Sequence, residues 1–516
     1  MKRYLFSIAI VISALVSAFA QEGASVFSAR PIAVPPQGEE LEKALSLTDC
    51  IQIGLQHNLD VQINRISPQV SKYNYSMAYG AYDPTFTASY TYRFNRSQGV
   101  TDPTVSTVTR TGDFYGDAVS SGLSMLTPFG GNVRLNGSYS RSGRSSEIYG
   151  YGNDDNFSSS GSMSISQPLL KNAWIDSTRL QIRTSRNSLQ STRHAYEYSL
   201  MGTILAIENA YYGLIGAKEE IYASEQNLSQ AQEFLEETRK KVELGSLIEL
   251  DTKDAESRVS NAKTALIAAK KAYNEATNTL RSLLSDDFTL WQDTELDLTD
   301  ELLAQPMLPS RAESWFKGLK MRPDLLQMQI DLENRNIYVK YSYNQLFPQL
   351  DVIGSYGSSA SRYNDTLTPP SQMLRGIYPE YTVGGQLTVP VLNISARNTY
   401  KIRKAEREQA ILKLKQKEQD VMIEIDNAIN NINSSLEAIT STREATKYAR
   451  EAWEAGKIRL EHGKATSFEV LELQTTLFQR KLTEINALVA YNQNLARLRY
   501  CEGSTLENYN ITVTYE

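Results

Sequence analysis

The sequence predicts a mixed α and β fold with an internal duplication, in which amphipathic strands lead into long helical pairs. Three observations support this prediction. Proline is absent from Leu169 to Gln305 and from Val391 to the C-terminus, and helix-forming residues dominate both stretches. Segments in which apolar and small polar residues alternate precede each stretch. The same landmarks recur in the same order in both halves, which indicates two repeats.

The first twenty residues have the pattern of a secretory signal peptide. Lys2-Arg3 precede an apolar stretch from Tyr4 to about Val16, and Ala18-Phe19-Ala20 supplies a small-x-small cleavage pattern. The apolar stretch is short for a membrane anchor, which is the alternative. We therefore expect removal of residues 1–20 and an extended N-terminal segment over residues 21–46.

Composition and motifs exclude several classes of function. The chain has 53 basic and 59 acidic residues, a net charge of −6, and without Lys2-Arg3 the counts become 51 and 59, or −8. This balance argues against nucleic acid as a partner. Two cysteines argue against a Cys-rich zinc site, the three histidines lie far apart, and we expect no cofactor. We find no Walker loop, nucleophile elbow or dinucleotide fingerprint, so we expect no enzyme activity.

Heptad seams predict that the two proline-free stretches form long coiled-coil helices. Each stretch is interrupted at a glycine, Gly245 and Gly463. This predicts long helices from about Asn172 to Leu244 and from about Ala396 to His462, each followed by a shorter returning helix. In the first stretch, apolar residues recur at steps of four and three: Ala255, Val259, Ala262, Leu266, Ala269, Tyr273, Ala276, Leu280 and Leu283.

Period-two alternation predicts the strands, as around Thr85–Phe94, Asn132–Tyr139 and Glu380–Val389. A soluble sandwich would show the same alternation, but the export signal favours outer-membrane strands. Each half then has the same order of landmarks, which assigns repeat 1 to residues 47–305, with strands about 85–168, and repeat 2 to residues 306–503, with strands about 349–390. A C-terminal tail covers 504–516.

Repeat 1 contains an additional candidate hairpin around Thr127-Pro128-Phe129-Gly130-Gly131, so the chain supplies four to six strands. That number cannot close a membrane barrel, for which about eight strands is the small end. Open sheet edges are not tolerated in lipid. Several chains must therefore combine their strands.

From about Leu47 to about Gly503 the sequence resembles the TolC-like outer-membrane efflux protein family. The resemblance rests on Leu47-Thr48-Asp49-Cys50-Ile51, His57-Asn58-Leu59-Asp60, Ser166-Gln167-Pro168-Leu169-Leu170 and the two glycine-to-acid hairpins. It implies a homotrimer that shares one outer-membrane β-barrel, surrounded by lipid and continued by a long periplasmic helical barrel. It further implies a passive conduit for efflux or type I secretion, served by a periplasmic adaptor and an inner-membrane pump of the RND or ABC type.

The resemblance also implies a periplasmic gate near the hairpin tips. Glu469 and Glu472 match the family's acidic segment at the closed tip, and the first repeat places Asp251 and Asp254 after its own glycine. A solvated helix face is the alternative for these acids. Three copies of the glutamates would repel one another, and a divalent cation could bind between them.

The hairpin tips are the segments that the resemblance assigns to the adaptor. They include Gly245, Ser246, Gly463, Lys464 and Arg459. The sequence departs from the family pattern here. Leu460 and Ala465 stand where a latch tyrosine and arginine are expected, with Arg459 and Lys464 as adjacent alternatives.

The layout implied by the resemblance brings Cys50 and Cys501 to the same level of the molecule. We predict an intrachain disulfide between them, and two separately buried thiols are the alternative. Two other functions fit part of the pattern. A trimeric surface stalk or adhesin would lack the antiparallel helix return, and a periplasmic adaptor would have a single hairpin and a soluble barrel domain.

Overall fold

A computed structural model describes residues 43–97, 112–145, 154–291, 296–302, 305–307 and 309–513. The predicted signal peptide and most of the predicted N-terminal segment lie outside these residues. The chain divides into two units. The first comprises residues 1–44 and 287–297 and holds most of two short paired strands, β1 (Lys43–Leu45) and β6 (Leu296–Leu298). The second, residues 45–286 and 298–516, holds the larger elements.

The second unit presents one order of elements twice. Two short helices, a group of strands, a long helix and a returning helix follow one another in each half. The first half contains α1 (Leu47–His57), α2 (Leu59–Met77), β2 (Thr85–Ser97), β3 (Gly112–Leu126), β4 (Asn132–Ser145), β5 (Asp154–Pro168), α3 (Ser177–Glu243) and α4 (Glu249–Leu284). The second contains α5 (Arg311–Met321), α6 (Pro323–Asn344), β7 (Gln349–Tyr363), α7 (Thr368–Leu374), β8 (Pro379–Thr388), α8 (Ile394–Glu461), α9 (Ser467–Glu502) and the short α10 (Thr505–Asn508).

The predicted long helices are present close to their expected limits. The helix α3 has 67 residues and α8 has 68, each about 100 Å long at 1.5 Å per residue. Each returns as a helix of 36 residues, and the pairs α3–α4 and α8–α9 pack along their lengths. Among the described residues, none of the helices combines the length and the apolar composition needed to cross a bilayer.

Two glycines let the short helices approach the long ones in an equivalent way. A Cβ at Gly54 of α1 would collide with Ile207 of α3, and a Cβ at Gly318 of α5 would collide with Ile425 of α8. Small residues at these two positions therefore set the same close packing in both halves.

The residue four positions after each glycine donates a hydrogen bond to a backbone carbonyl near the end of the returning helix. The side-chain amide of Asn58 donates a hydrogen bond to the carbonyl of Leu283, with an N···O distance of 3.1 Å. In the second half the guanidinium of Arg322 donates to the carbonyl of Cys501, at 3.4 Å. The same backbone junction is thus stabilised by a neutral amide in one repeat and by a charge in the other.

Arg322 is buried to 1% exposure within a cluster of ion pairs. It contacts Asp324 at 2.7 Å and Glu424 at 2.6 Å, and Lys417 reaches Asp324 at 2.9 Å. Burial alone would raise the pKa of Asp324, but the hydrogen bonds from Arg322 and Lys417 outweigh it and lower that pKa. The cluster joins α6 to α8.

The predicted disulfide is absent, because Cys50 and Cys501 are both free and buried. Cys50 lies on α1, which packs on α3 and α4, whereas Cys501 belongs to the apolar core of α8 and α9. Each thiol is therefore enclosed by its own half of the chain. Burial, with the nearby Asp49 and Asp300, raises the pKa of Cys50 to about 12, which keeps it protonated and unreactive.

Six strands form one antiparallel sheet in the order β2-β3-β4-β5-β7-β8. The additional hairpin of repeat 1 is β3–β4, and it is inserted between β2 and β5 rather than lying outside the sheet. The edge strands are β2 and β8. The residues of β8 are exposed throughout, so none of the described residues covers this edge.

Candidate functional site

The two helical hairpins end in the same turn. Gly245 and Gly463 follow the long helices with φ angles of 74° and 66°, in the left-handed region that glycine adopts without a steric penalty. The N–H of Ser246 then donates to the carbonyl of Lys241 at 2.8 Å, and Lys464 makes the equivalent bond at the second tip. These turns satisfy carbonyls that the helix end would otherwise leave open.

The surfaces of both tips combine apolar and basic side chains. Leu244, Ile248 and Leu250 of the first tip are 81%, 64% and 63% exposed, and Lys240 is exposed beside them. The second tip exposes Ile458 and Phe468, at 57% and 61%, together with Arg459 and Lys464.

Two of the predicted gate acids cap the N-termini of the returning helices. Asp251 and Glu469 occupy equivalent third positions in α4 and α9. The N–H of Ile248 donates to the carboxylate of Asp251 at 3.2 Å, and the N–H of Thr466 donates to that of Glu469 at 3.3 Å. Acidic side chains at this position satisfy free N–H groups and suit the positive end of the helix dipole.

Glu472 is placed differently and lies next to a basic residue of the other returning helix. Its side chain is 61% exposed, and its carboxylate lies 3.5 Å from the guanidinium of Arg258. Arg258 also donates to the hydroxyl of Thr475 at 2.8 Å. Asp254 is exposed one turn after Asp251.

Arg258 is a residue that sequence reasoning missed. It lies seven positions after Asp251, so both occupy the same heptad position on α4. This seven-residue spacing is the sequence signal that could have identified Arg258. The structure brings Arg258 to Glu472, while the expected basic alternatives, Arg459 and Lys464, remain exposed at the tip.

One face of the six-stranded sheet is lined by small hydroxyl side chains. The strand register places five serines side by side on five neighbouring strands: Ser89, Ser120, Ser138, Ser160 and Ser359. The hydroxyls of Ser89 and Ser120 lie 2.7 Å apart, and those of Ser138 and Ser160 lie 2.8 Å apart. This face is polar and carries no bulky group along the serine row.

The opposite face carries the large apolar residues. Because side chains alternate across a strand, these residues point away from the serine row. They are Phe86, Tyr90 and Tyr92 on β2, Leu123 and Met125 on β3, Leu135 and Tyr139 on β4, Met163 and Ile165 on β5, Val352 and Tyr356 on β7, and Tyr381, Val383 and Leu387 on β8. The sheet thus has one apolar and one hydroxyl surface.

A heptad seam on α2 is exposed and runs toward the edge strand β2. Its members recur at steps of four and three, and each is more than half exposed in the single chain. They are Leu59, Ile63, Ile66, Val70, Tyr73 and Met77. An apolar seam of this length is typical of a helix that packs against another chain.

Within the described residues, no group of three or more His, Cys, Asp or Glu side chains is arranged to hold a metal ion.

Comparison with known proteins identifies relatives of this architecture. A family model described as outer membrane efflux protein matches residues 131–285 and 317–504. The pyoverdine export outer membrane protein OpmQ of Pseudomonas aeruginosa is 22% identical over 309 residues, which cover 57% of this chain and 60% of that protein. The match thus spans about 60% of the length of this curated relative.

Solved structures with the same fold extend over most of the chain. The CmeC outer membrane channel of Campylobacter jejuni has a TM-score of 0.63 at 15% identity, covering 90% of this chain and 88% of its own. The outer membrane protein VceC of Vibrio cholerae has a TM-score of 0.63 at 14% identity, covering 89% and 96%. At these identities the likeness concerns the fold.

Proposed function

Because the chain belongs to the outer membrane efflux protein family, we propose that it is the outer-membrane channel of a tripartite efflux or type I secretion system. It is a protein of the outer membrane that extends into the periplasm, and its family is one of channels rather than enzymes. The observation that carries the proposal is the sheet with one apolar and one hydroxyl face, continuous with two long helical hairpins. An apolar outer surface suits lipid, and a polar inner surface suits a passing solute.

The channel is a homotrimer in this proposal. A six-stranded open sheet leaves β2 and β8 unpaired, which lipid does not tolerate. Pairing β8 of one copy with β2 of the next removes every edge, and six strands from each of three copies make eighteen. A barrel of this size leaves an aqueous channel. The exposed seam on α2 then packs against the neighbouring copy.

Native mass spectrometry of the detergent-solubilised protein tests the assembly. We expect a species of three copies, and monomers or dimers alone would contradict the proposal. Ile63→Glu with Ile66→Glu puts charges in the seam and should shift the population toward monomers. Ser67→Glu, exposed beside the seam, is the matched control and should leave the trimer intact.

The periplasmic end of the channel forms the gate. Three chains would gather Glu469, Glu472, Asp251 and Asp254 where the helical barrel narrows. Asp251 and Glu469 cap their helices, so Glu472 supplies the more available carboxylate. Its contact with Arg258 links the two returning helices of one chain and favours the closed tip.

The hairpin tips are the docking points for the periplasmic adaptor, which connects the channel to an inner-membrane pump. Gly245 and Ser246 lie in the first tip, and Gly463, Lys464 and Arg459 lie in the second. The exposed apolar and basic side chains of the tips suit an adaptor with an apolar and an acidic contact surface. The relative named for pyoverdine export favours a small-molecule cargo for this chain.

A further inference from the structure

The connections between elements distinguish the two ends of the sheet. At one end the sheet meets the helical elements, at Thr85, Pro168, Gln349 and Thr388. The short turn over residues 127–131 lies at that end too. The other end of the sheet, called here the loop end, holds the strand ends that longer sequence segments join, at Ser97, Gly112, Ser145, Asp154, Tyr363 and Pro379. In outer-membrane barrels short turns face the periplasm and long loops face the exterior, so the loop end is external.

The helix α7, in the connection from β7 to β8, folds back over the apolar face of the sheet. A Cβ at Gly161 would point to this face and would lie 3.3 Å from the sulfur of Met373 on α7. Ser159 of β5 and Ser358 of β7, on the same face, are 4% and 9% exposed. Pro369 of α7 is buried as well. The helix therefore covers a patch of small residues about halfway along β5.

Charged side chains occupy the same face beyond α7, nearer the loop end. Arg96 pairs with Asp113 at 2.6 Å. Arg141 pairs with Asp155 at 2.7 Å, and the hydroxyl of Tyr115 donates to Asp155 at 2.9 Å. Charges on the lipid-facing surface of a barrel are unfavourable within the hydrocarbon layer and tolerated near its boundary.

The irregular backbone around α7 independently indicates where the hydrocarbon layer ends. Residues 364–367 and 375–378 are neither strand nor regular helix, and such backbone is not found exposed to hydrocarbon. Tyr139 marks the level of this segment, because its hydroxyl donates to the carbonyl of Thr366 at 3.3 Å. Tyrosines gather where barrel strands meet the head groups, and Tyr90 of β2 lies at the level of Tyr139.

We propose that the segment 364–378, with α7 at its centre, lies among the lipid head groups of the outer leaflet and that the hydrocarbon layer ends at the level of Gly161. The inference rests on the proposed function, since it requires the sheet to cross the outer membrane. Ser358 of β7 pairs with Gly161, and Leu350 lies eight residues away from it, toward the end of the sheet that meets the helices. That is about 26 Å along the strand, or roughly 20 Å of height at a 40° tilt. This is close to the apolar band of about 25 Å found in such barrels. The loop end then projects beyond the membrane.

Spin labels at single introduced cysteines test this depth in liposomes. Leu374→Cys places a label on α7 at a side chain that is 80% exposed. Ile165→Cys places one on β5, four residues toward the helical end from Gly161 and about 10 Å deeper. The buried Cys50 and Cys501 should not react, and the unsubstituted protein measures any background. Collision with oxygen reports the hydrocarbon, and collision with a water-soluble nickel chelate reports the aqueous side.

The Leu374 label should be shallower than the Ile165 label by about 10 Å, with several-fold greater access to the nickel chelate. Equal depth for the two labels, both in hydrocarbon, would overturn the inference while leaving the sheet in the membrane. A nickel-accessible label at Ile165 would instead overturn the proposed function. Gly161→Leu tests the contact itself, since it should displace Met373 and make the Leu374 label more mobile. Unchanged mobility would mean that α7 does not rest on the sheet.

Discussion

Glu472 and Glu469 are three residues apart on α9, yet their environments separate their roles. Glu469 accepts a hydrogen bond from the N–H that precedes its helix, and Glu472 lies exposed beside Arg258. A capping carboxylate is already occupied by a backbone donor, whereas an exposed one is available to a cation. The two glutamates therefore differ as candidates for the gate.

We predict that Glu472→Gln alone accounts for most of the loss of divalent-cation block in planar-bilayer conductance. Glu469→Gln should have a smaller effect because its amide oxygen still accepts the bond from Thr466. The double variant should resemble Glu472→Gln and should assemble as a trimer. Block that is unchanged in the double variant would return both residues to a solvated helix face.

Arg322 is the largest side chain that the described core buries completely. Replacing it with methionine would remove the main partner of Asp324, which is 14% exposed and would keep only Lys417. We predict that Arg322→Met lowers the free energy of unfolding by about 3–5 kcal/mol, the usual cost of breaking a buried pair from one side. Urea titration of the solubilised protein measures it.

Arg335→Met is the matched control for that measurement. Arg335 is about a third exposed and lies 3.5 Å from Asp331 on α6 and 3.7 Å from Glu406 on α8. Partly exposed ion pairs of this kind contribute at most about 1 kcal/mol each. Similar losses of unfolding free energy for Arg322→Met and Arg335→Met would show that burial of the arginine does not determine the cost of removing it.

At the scale of elements, the turn at each hairpin tip depends on one glycine. A Cβ at Gly245 would touch nothing within 4 Å, so the cost of Gly245→Ala comes from the backbone alone. We predict that it destabilises the tip by about 1–2 kcal/mol, because alanine disfavours φ near 74°. Hydrogen exchange of the tip amides measures this.

Gly202 provides the opposite case, inside the long helix α3 that precedes this turn. It also has open space around it, but it lies in the interior of α3 with helical backbone. Gly202→Ala should therefore stabilise α3 by about 0.5–1 kcal/mol. For Gly245→Ala, slower amide exchange at the tip than in the unsubstituted protein would contradict the prediction that alanine destabilises the turn.

The sequence predicted the regular elements because their periodicity is written in consecutive residues. The end of α3 at Glu243 and of α8 at Glu461 follow from Gly245 and Gly463, and alternation located strands such as β2. The helix α7 escaped prediction, since seven residues with Pro369 among them show no period.

Contacts between distant segments were beyond sequence reasoning. The pairing of Arg258 with Glu472 joins residues 214 positions apart, and no local pattern reports it. Cys50 and Cys501 were paired from an expected layout, but both are free and buried. The sequence also left open whether the hairpin β3–β4 joins the sheet. That depends on its pairing with β2 and β5, which are distant in sequence and are brought together only by the fold.

For the whole molecule, the inserted hairpin sets the strand number. The strands β2 and β5 run in opposite directions, so they could pair directly without β3 and β4. We predict that replacing residues 98–153 with a short loop leaves four strands per chain and twelve in a trimer. Barrel diameter grows roughly linearly with strand number, so it should fall to about two thirds. Electron cryomicroscopy of the trimers measures it, and an unchanged diameter would exclude the hairpin from the wall.

A conduit built from these parts has two resistances in series. The helical passage follows helices about 100 Å long, while the apolar band of a barrel is only about 25 Å high. Resistance rises with length and falls with cross-section, so an eighteen-stranded outlet adds little to the total. Transit time is then set in the periplasm, and widening the outlet further would gain almost no flux. In the proposed channel, the serine-lined wall would release cargo into the medium rather than limit its rate of passage.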